Sequence, residues 1–330
     1  MKMPNNYSDE QLHLVARLYY VDGMPQNEVA KFAKVSQAKV SRLLTMARER
    51  GIVRITVADY EPRDRDMEAR LRALLELPDV VVIKAAIGLA PEDLRNTLGL
   101  FGAPVLADFI KPKDVIALAG GRTIHALVEN LPSPADRLLS VVQSMGSVDS
   151  NLNAFDSQEI GRMLARKLGG AFVAMNTPAF LPDKKMRDSL LKLEQVRVVH
   201  EHLDKANLAI VGVGTLENSV FVERNILGDD DKDELRDAGA IGEICGRFFN
   251  ASGKECNTSW RERVMSVELE QLRRIPRVLG VISGNDRTAA IRAAIKGGLL
   301  KGLLMDESCA RALFGDITEK KTSTPKKTKK

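Results

Sequence analysis

Apolar residues in the first fifty positions recur at intervals of three and four, and this spacing predicts three short helices. The first begins near Ser8, a residue type whose hydroxyl accepts a hydrogen bond from a backbone N–H of the first turn. The second covers residues 28–34, and the third covers residues 37–50 and ends at Gly51. Only a few residues separate the second helix from the third, which is the spacing of a helix-turn-helix.

The segment after these helices predicts a change of domain. Residues 52–57 alternate between apolar and polar side chains, as a small wing strand or a strand leading out of the bundle does. Residues 61–66 are highly charged and include Pro62, which favours a linker. A helix over residues 67–77 follows, and its leucines leave open whether it packs on a second copy of the chain or on the rest of this one.

From Asp79 onward, continuous β-branched runs alternate with helical stretches. This alternation predicts an α/β fold with a Rossmann-like domain and a mostly parallel sheet. The strand-like runs are residues 80–83, 115–119, 139–142, 208–211, 278–282 and 302–305. We therefore expect a helix-turn-helix (winged-helix-like) domain at 1–60, a linker and helix at 61–78, an α/β effector domain at 79–316 and a basic disordered tail at 317–330.

Charge is concentrated in two places. The 330 residues carry 49 lysines and arginines against 44 aspartates and glutamates, a formal net charge of +5. Residues 319–330, with six lysines and one glutamate, equal that whole excess, while residues 61–318 sum to −3. Residues 31–54 hold seven basic residues and one acidic residue. This local excess, and not the net charge, points to nucleic acid.

The predicted third helix carries the side chains expected to contact DNA. Its N-terminal half would enter the major groove, where short polar and basic groups read base edges. We assign this contact to Ser36, Gln37, Ala38, Lys39, Ser41 and Arg42. A plain three-helix bundle with a solvated charged face is the other interpretation.

Three strand-like runs end in glycine-rich turns, the elements that bind ligands at the carboxyl edge of a parallel sheet. They are Gly120-Gly121-Arg122-Thr123, Gly212-Val213-Gly214-Thr215 and Ser283-Gly284-Asn285-Asp286-Arg287. Glycine lets backbone N–H groups approach an anion, and a following helix N-terminus adds positive potential. None of them is a Walker loop or a full dinucleotide fingerprint. Together they favour a phosphate or polyol site.

Other features narrow the class of protein. Cys245, Cys256 and Cys309 are odd in number and widely spaced, which argues against disulfides and against a cysteine zinc site. His200 and His202 have no third ligand nearby in the sequence, so we expect neither a metal site nor a cofactor. The N-terminus lacks the apolar core of a signal peptide, and no apolar run is long enough for a bilayer. A cytoplasmic protein without a membrane partner is expected.

Several blocks of sequence together match the pattern of one known family. The most specific block is residues 239–249 with Gly253 after it. The other blocks are residues 36–44, 47–53, 120–123, 208–214, 273–278, 289–294 and 306–310. Over about residues 8–315, the chain thereby resembles the SorC/DeoR-type bacterial transcriptional regulators. The effector domain of that family is similar to ribose-5-phosphate isomerase and glucosamine-6-phosphate deaminase.

The resemblance implies a DNA-binding regulator of a carbohydrate-metabolism operon, controlled by a sugar phosphate or a polyol. Gly120, Gly121, Arg122 and Thr123 would form the phosphate end of the effector site. The other effector-binding positions that it implies are Ser144, Gly146, Asp156, Gln158, Gly212, Gly214, Glu243, Arg287 and Asp306. Arg287 stands where the family usually has Lys, and Glu243 stands where it usually has Asp, so the identity of the ligand is left open.

Two other functions are compatible with these residues. Glu243, Asp156 and Asp306 could supply the base of a sugar-phosphate isomerase or deaminase with a DNA-binding head. The glycine turns also permit a dinucleotide sensor. For the regulator, the expected partners are double-stranded operator DNA, the effector and further copies of the chain, as a homodimer or homotetramer on a roughly palindromic operator.

Overall fold

The computed structural model describes residues 7–56, 58, 60–86, 88–132, 137–148 and 153–322, without the side chains of 319–322. The chain forms two compact units, residues 1–60 and residues 61–330. The smaller unit is helical, and the larger one is a parallel sheet with helices and a separate hairpin.

Three helices form the smaller unit: α1 (Asp9–Ala16), α2 (Gln26–Phe32) and α3 (Gln37–Glu49), with a π-helical turn at Arg17–Val21 continuing α1. Ser8 and Ser36 cap α1 and α3, because each hydroxyl accepts a hydrogen bond from a backbone N–H in the first turn. The predicted apolar stripes meet in one core, formed by Leu12, Val15, Ala16, Val29, Ala30, Val40, Leu43, Leu44 and Ala47.

The turn between α2 and α3 depends on Lys34, which adopts a left-handed backbone with φ of 54°. The N–H of Val35 then donates to the carbonyl of Ala30 at 2.9 Å and closes the turn. This short connection orients α3 against α2 as a helix-turn-helix requires.

The strand predicted at 52–57 has no counterpart over residues 52–56, and Val57 lies outside the described residues. The N–H of Val53 donates instead to the carbonyl of Ala47, so the chain folds back over the end of α3. An alternating segment needs a partner strand to complete its hydrogen bonds, and these residues have none in the described part of the smaller unit.

The larger unit confirms the predicted α/β class. Its strands are β1 (Asp79–Ile83), β2 (Val115–Leu118), β3 (Ser140–Gln143), β4 (Ala171–Val173), β5 (Leu208–Val211), β6 (Ala240–Ile244), β7 (Arg247–Asn250), β8 (Arg277–Ile282) and β9 (Gly302–Asp306). Seven of them form a parallel sheet in the order β1-β9-β8-β5-β2-β3-β4. The apolar runs suit this sheet because parallel strands are covered on both faces.

Helices connect these strands. They are α4 (Arg65–Leu75), α5 (Pro91–Phe109), α6 (Arg122–Glu129), α7 (Ser157–Leu168), α8 (Lys184–Leu191), α9 (Glu194–Asp204), α10 (Val220–Glu223), α11 (Asp229–Asp237), α12 (Leu269–Arg274), α13 (Thr288–Lys296) and α14 (Glu307–Thr322). The last helix extends six residues into the segment predicted as a disordered tail, and residues 323–330 lie outside the described part.

Strands β6 and β7 form an antiparallel hairpin that was not predicted from the sequence. Cys245 and Gly246 make its two-residue turn, and both have positive φ, 53° and 77°, as the tightest hairpin turns require. The indole N–H of the buried Trp260 donates to the carbonyl of Gly246 at 2.8 Å. This contact fixes the tip of the hairpin against the body.

The residues predicted as a linker and helix pack on the larger unit. The N–H of Asp64 donates to the carbonyl of Val82, and Glu68 accepts hydrogen bonds from the side chain of Arg63 and from the N–H of Val82. Leu71 of α4 is fully buried in the core of the larger unit. Of the two possibilities left open for this helix, the structure shows docking on the body.

Leu71→Ala should therefore destabilise the larger unit. Truncating a fully buried leucine removes apolar contacts and leaves a cavity, so we expect the free energy of unfolding to fall by about 2–5 kcal/mol. Urea unfolding of the full chain measures this change. The adjacent exposed residue gives the control Arg72→Ala, which should change stability by about 0.5 kcal/mol or less. Equal stability of the two variants would contradict the docking of α4.

Candidate effector site

A cavity of about 600 Å³ opens at the carboxyl ends of β2, β3, β5 and β8. From β2 the chain crosses to β3 on one side, whereas from β5 it continues to β8 on the other side. A crevice forms where neighbouring strands send the chain in opposite directions, and open α/β sheets bind ligands there. The volume is within the range of small-molecule sites.

The turn after β2 forms one end of the cavity. Gly120 has no room for a side chain, because a Cβ would lie 2.8 Å from the carbonyl oxygen of Phe155. Gly121 has φ of 125° and donates its N–H to that same carbonyl at 2.8 Å. Helix α6 begins at Arg122, and the first N–H groups of a helix have no acceptor within it. The turn thus presents helix donors and the Arg122 guanidinium to the cavity.

The start of α7 forms a second wall. Asp156 caps this helix by accepting the N–H of Gln158 at 2.8 Å. Burial raises the pKa of Asp156, while the hydrogen bonds that it accepts from Gln158, Ser147 and Val148 lower it. A carboxylate held in this way suits a ligand hydroxyl.

Glu243 enters the cavity from the β6–β7 hairpin. Its backbone exchanges two hydrogen bonds with Gly214 of the turn after β5, at 2.9 and 3.0 Å. One carboxylate oxygen accepts the N–H of Gly246. Burial raises the pKa of Glu243 to about 6, although Gly246 and the positive charge of Arg287 oppose the shift.

Two arginines predicted from the sequence line the cavity and face carboxylates. Arg122 contacts both oxygens of Glu223 at 2.5 and 2.6 Å, and both side chains are about half exposed. The Nε of Arg287 lies 3.4 Å from a carboxylate oxygen of Asp286 but has no hydrogen-bond partner among the described residues, although it is buried. Both groups keep capacity for an anionic ligand.

The structure brings together most of the predicted effector-binding residues. Those lining the cavity are Gly120, Gly121, Arg122, Thr123, Asp156, Gly212, Gly214, Glu243 and Arg287. Four others do not line it: Ser144, Gly146, Gln158 and Asp306. Hydrogen bonds and packing within their own turns and helix starts keep these four residues out of the cavity lining.

Each of these four residues forms hydrogen bonds within the protein away from the cavity surface. Ser144 is fully buried, and its N–H donates to Leu118 of β2. Gly146 donates its N–H to the carbonyl of Met265, and Gln158 supplies a backbone N–H to the cap of α7. Asp306 is buried and accepts hydrogen bonds from the N–H groups of Gly284 and Cys309, so it supports the glycine turn after β8 from behind.

Several cavity residues had not been predicted. They are Arg95 of α5, Asn153 and Phe155 before α7, Asn218, Glu223 and Arg224 around α10, and Cys245 of the hairpin turn. Helix α10 follows the predicted glycine turn after β5, so the position of that turn was the available signal for this group. The predicted strand–helix alternation gave no comparable signal for Arg95.

The smaller unit presents the predicted DNA-contact residues on one helix. Ser36, Gln37, Ala38, Ser41 and Arg42 are exposed and lie at or near the start of α3. Lys39 is partly buried, and its ammonium group lies 5.0 Å from the centre of the Tyr7 ring. The opposite face of α3 is buried in the core. This arrangement leaves the predicted face open to solvent.

Among the described residues, no group of three or more His, Cys, Asp or Glu side chains is placed to hold a metal ion. In the same part of the chain, no helix combines the length and the apolar character needed to span a bilayer.

The family model Sugar-bind, a sugar-binding domain, matches residues 62–315. The chain is 31% identical over 312 residues to the erythritol catabolism regulatory protein EryD of Brucella abortus, covering 93% of this chain and 98% of that protein. It is 28% identical over 312 residues to the deoxyribonucleoside regulator of Bacillus subtilis, covering 92% and 96%. The crystal structure of the full-length sorbitol operon regulator SorC of Klebsiella pneumoniae matches with a TM-score of 0.74, 26% identity and coverage of 94% and 100%.

Fold, cavity and relatives together define a transcriptional regulator with a sugar-binding domain, whose partners are DNA and a sugar effector. The chain belongs to the SorC/DeoR family of transcriptional regulators. The enzymatic alternative is not favoured, because the relatives that match over nearly the whole chain are regulators.

Glu243 should make the stability of the ligand-free protein depend on pH. Because its pKa is raised from 4.5 to about 6, the native state favours the neutral carboxyl group. A destabilisation of about 2 kcal/mol at neutral pH should disappear as the pH falls through 6 toward 4.5. Glu243→Gln lacks this titration and serves as the reference in urea unfolding.

The wild type should therefore gain about 2 kcal/mol relative to Glu243→Gln between about pH 7.5 and about pH 4.5. Other titrating groups cancel in this difference because both proteins contain them. A difference that stays constant with pH would contradict the burial of an ionised Glu243 in the neutral protein.

Proposed function

We propose that the cavity binds a sugar phosphate and that its occupancy controls how the helix-turn-helix binds operator DNA of a carbohydrate-metabolism operon. The observation that carries the proposal is the combination at one end of the cavity of a glycine turn, a helix start and Arg122. A helix N-terminus with an adjacent guanidinium is a general solution for binding phosphate.

The phosphate would lie at the start of α6, between the first-turn N–H groups, the hydroxyl of Thr123 and the guanidinium of Arg122. The sugar would extend toward the other wall, where Asp156 and Glu243 offer carboxylate oxygens to hydroxyl groups. The buried Nε of Arg287 can donate to a ligand oxygen at that side, because it has no acceptor among the described residues. The proposed site would thus have a charged end for the phosphate and a polar end for the sugar hydroxyls.

In the smaller unit, Ser36, Gln37, Ala38, Lys39, Ser41 and Arg42 would face the major groove. Two copies of the chain would place two α3 helices on half-sites of an operator, so we propose a homodimer or homotetramer acting in the cytoplasm. The effector changes DNA binding only to the extent that it binds one arrangement of the heads better than another.

Sugar phosphates should stabilise the protein, and their parent sugars should do so much less. Pairs such as ribose 5-phosphate with ribose and fructose 6-phosphate with fructose can be compared by thermal unfolding. A matching phosphate at a hundred times its Kd should add about 2.7 kcal/mol and raise Tm by several degrees. Arg122→Gln should lose this shift and keep DNA binding.

The control for this experiment is Arg197→Gln, which removes another half-exposed, ion-paired arginine on α9. It should respond to the ligand as the wild type does. If Arg122→Gln responded fully to the sugar phosphate that stabilises the wild type, the phosphate would not bind at α6.

Arg42→Ala should weaken specific DNA binding by about ten- to a hundredfold, since it removes one side chain able to contact a base edge. Enrichment of sheared genomic fragments on the immobilised protein identifies the bound sites, and titration of one such fragment gives the Kd. Arg17→Ala, at an arginine outside α3, should reduce binding far less. An unchanged Kd for Arg42→Ala would show that this face of α3 does not read DNA.

A further inference from the structure

Arg95 is a cation in the cavity for which the protein supplies no close counterion among the described residues. It lies on α5 and lines the same cavity as Arg122 and Arg287. Those two arginines have carboxylate oxygens of Glu223 and Asp286 within 4 Å, whereas Arg95 forms no ion pair in the described part of the chain. Arg95 is therefore a half-buried cation at the cavity wall without an ion pair in the described part of the chain.

The positive charges of Arg122 and Arg287 act on Arg95. Burial lowers the pKa of Arg95, and the positive charges of Arg122 and Arg287 lower it further, while Glu92 and Glu223 oppose the shift. Like charges gathered at the wall of a cavity are unfavourable in the empty protein, and an anion that binds there relieves the repulsion.

Glu223 already forms an ion pair with Arg122, the arginine that a ligand anion would need as its partner. Its carboxylate contacts Arg122 across 101 residues of sequence, from α10 to the start of α6. Both side chains of this pair are about half exposed, 49% and 47%, so water screens their attraction. A partly exposed ion pair of this kind can exchange its carboxylate for another anion at low cost.

We propose that Arg95 binds the effector phosphate and that Glu223 competes with this phosphate for Arg122. The inference rests on the proposed function, in which a phosphate binds at the start of α6. On binding, the dianionic phosphate displaces the Glu223 carboxylate from Arg122 and takes Arg95 as a second cationic partner. The two positive charges of Arg122 and Arg95 then balance the two negative charges of the phosphate, and the Glu223 carboxylate is released to solvent.

This exchange selects the charge of the ligand. A neutral polyol cannot replace the Glu223 carboxylate, because a hydroxyl group offers Arg122 a weaker partner. A ligand carboxylate would replace the Glu223 carboxylate on Arg122 with another group of the same single negative charge, so the exchange would gain little binding free energy. A phosphate monoester, which is largely dianionic at neutral pH, satisfies Arg122 and Arg95 together. Glu223 and Arg95 therefore determine specificity for phosphorylated effectors.

Calorimetric titration of the full-length protein with methyl phosphate tests the exchange, because this probe is a phosphate monoester without sugar hydroxyls. Glu223→Gln removes the competing charge and should bind methyl phosphate about three- to fivefold more tightly. Arg95→Gln should bind it about tenfold more weakly. Acetate, which carries a single negative charge, should lose less affinity than methyl phosphate when Arg95→Gln replaces the wild type.

The matched controls come from the Arg197–Glu201 pair of α9, whose side chains are 56% and 49% exposed. Glu201→Gln and Arg197→Gln remove the same kinds of charge outside the cavity and should leave the affinity for methyl phosphate unchanged. A cooperative melting transition of each variant without ligand verifies that it folds.

The outcomes separate this inference from the proposed function. If Arg122→Gln binds methyl phosphate as the wild type does, the phosphate site at α6 is wrong. If Arg122→Gln loses binding while Glu223→Gln and Arg95→Gln both match the wild type, the phosphate site stands and the exchange is overturned. If neither the wild type nor Glu223→Gln binds methyl phosphate at ligand concentrations of tens of millimolar, the exchange is also overturned.

Discussion

The direct pairing of β2 with β5 is the constraint on which the site depends. These strands are neighbours in the sheet although β3 and β4 lie between them in the sequence, and the chain leaves them toward opposite edges. The turns that follow them, at Gly120–Gly121 and at Gly212–Gly214, consequently face one crevice. Backbone hydrogen bonds from Gly214 then bring in Glu243, so the remote hairpin is positioned by the same pairing.

Within that crevice, two of the arginines already have carboxylate partners before a ligand binds. Arg122 faces Glu223, and Arg287 lies 3.4 Å from Asp286 while its positive charge also acts on the buried Glu243. The longer side chain of glutamate matters here: one carboxylate oxygen of Glu243 binds the N–H of Gly246 in its own hairpin, while the side chain still lines the cavity. In the proposed exchange, a ligand replaces these existing partners, which would favour ligands whose charge and hydroxyl pattern match them.

The sequence predicted the elements whose signals are local. Continuous apolar runs identified β1, β2, β3, β5, β8 and β9, and serine caps identified the starts of α1 and α3. Arg95 and Glu223 were not predicted, because a charged residue on a helix has the same local signal whether it faces solvent or a cavity. Ser144 and Asp306 follow strands as ligand residues do, but the burial of their side chains is decided by packing that no local pattern records.

The antiparallel segment before α4 has a consequence for assembly. Pro62 and Asp64 form hydrogen bonds with the outer edge of β1, at Lys84 and Val82, and Glu68 takes the remaining N–H of Val82. An exposed edge strand is a template for pairing with a neighbouring molecule, and here that template is already occupied. At the other edge β4 has only three residues. These two edges therefore offer little that could extend the sheet from one molecule to the next.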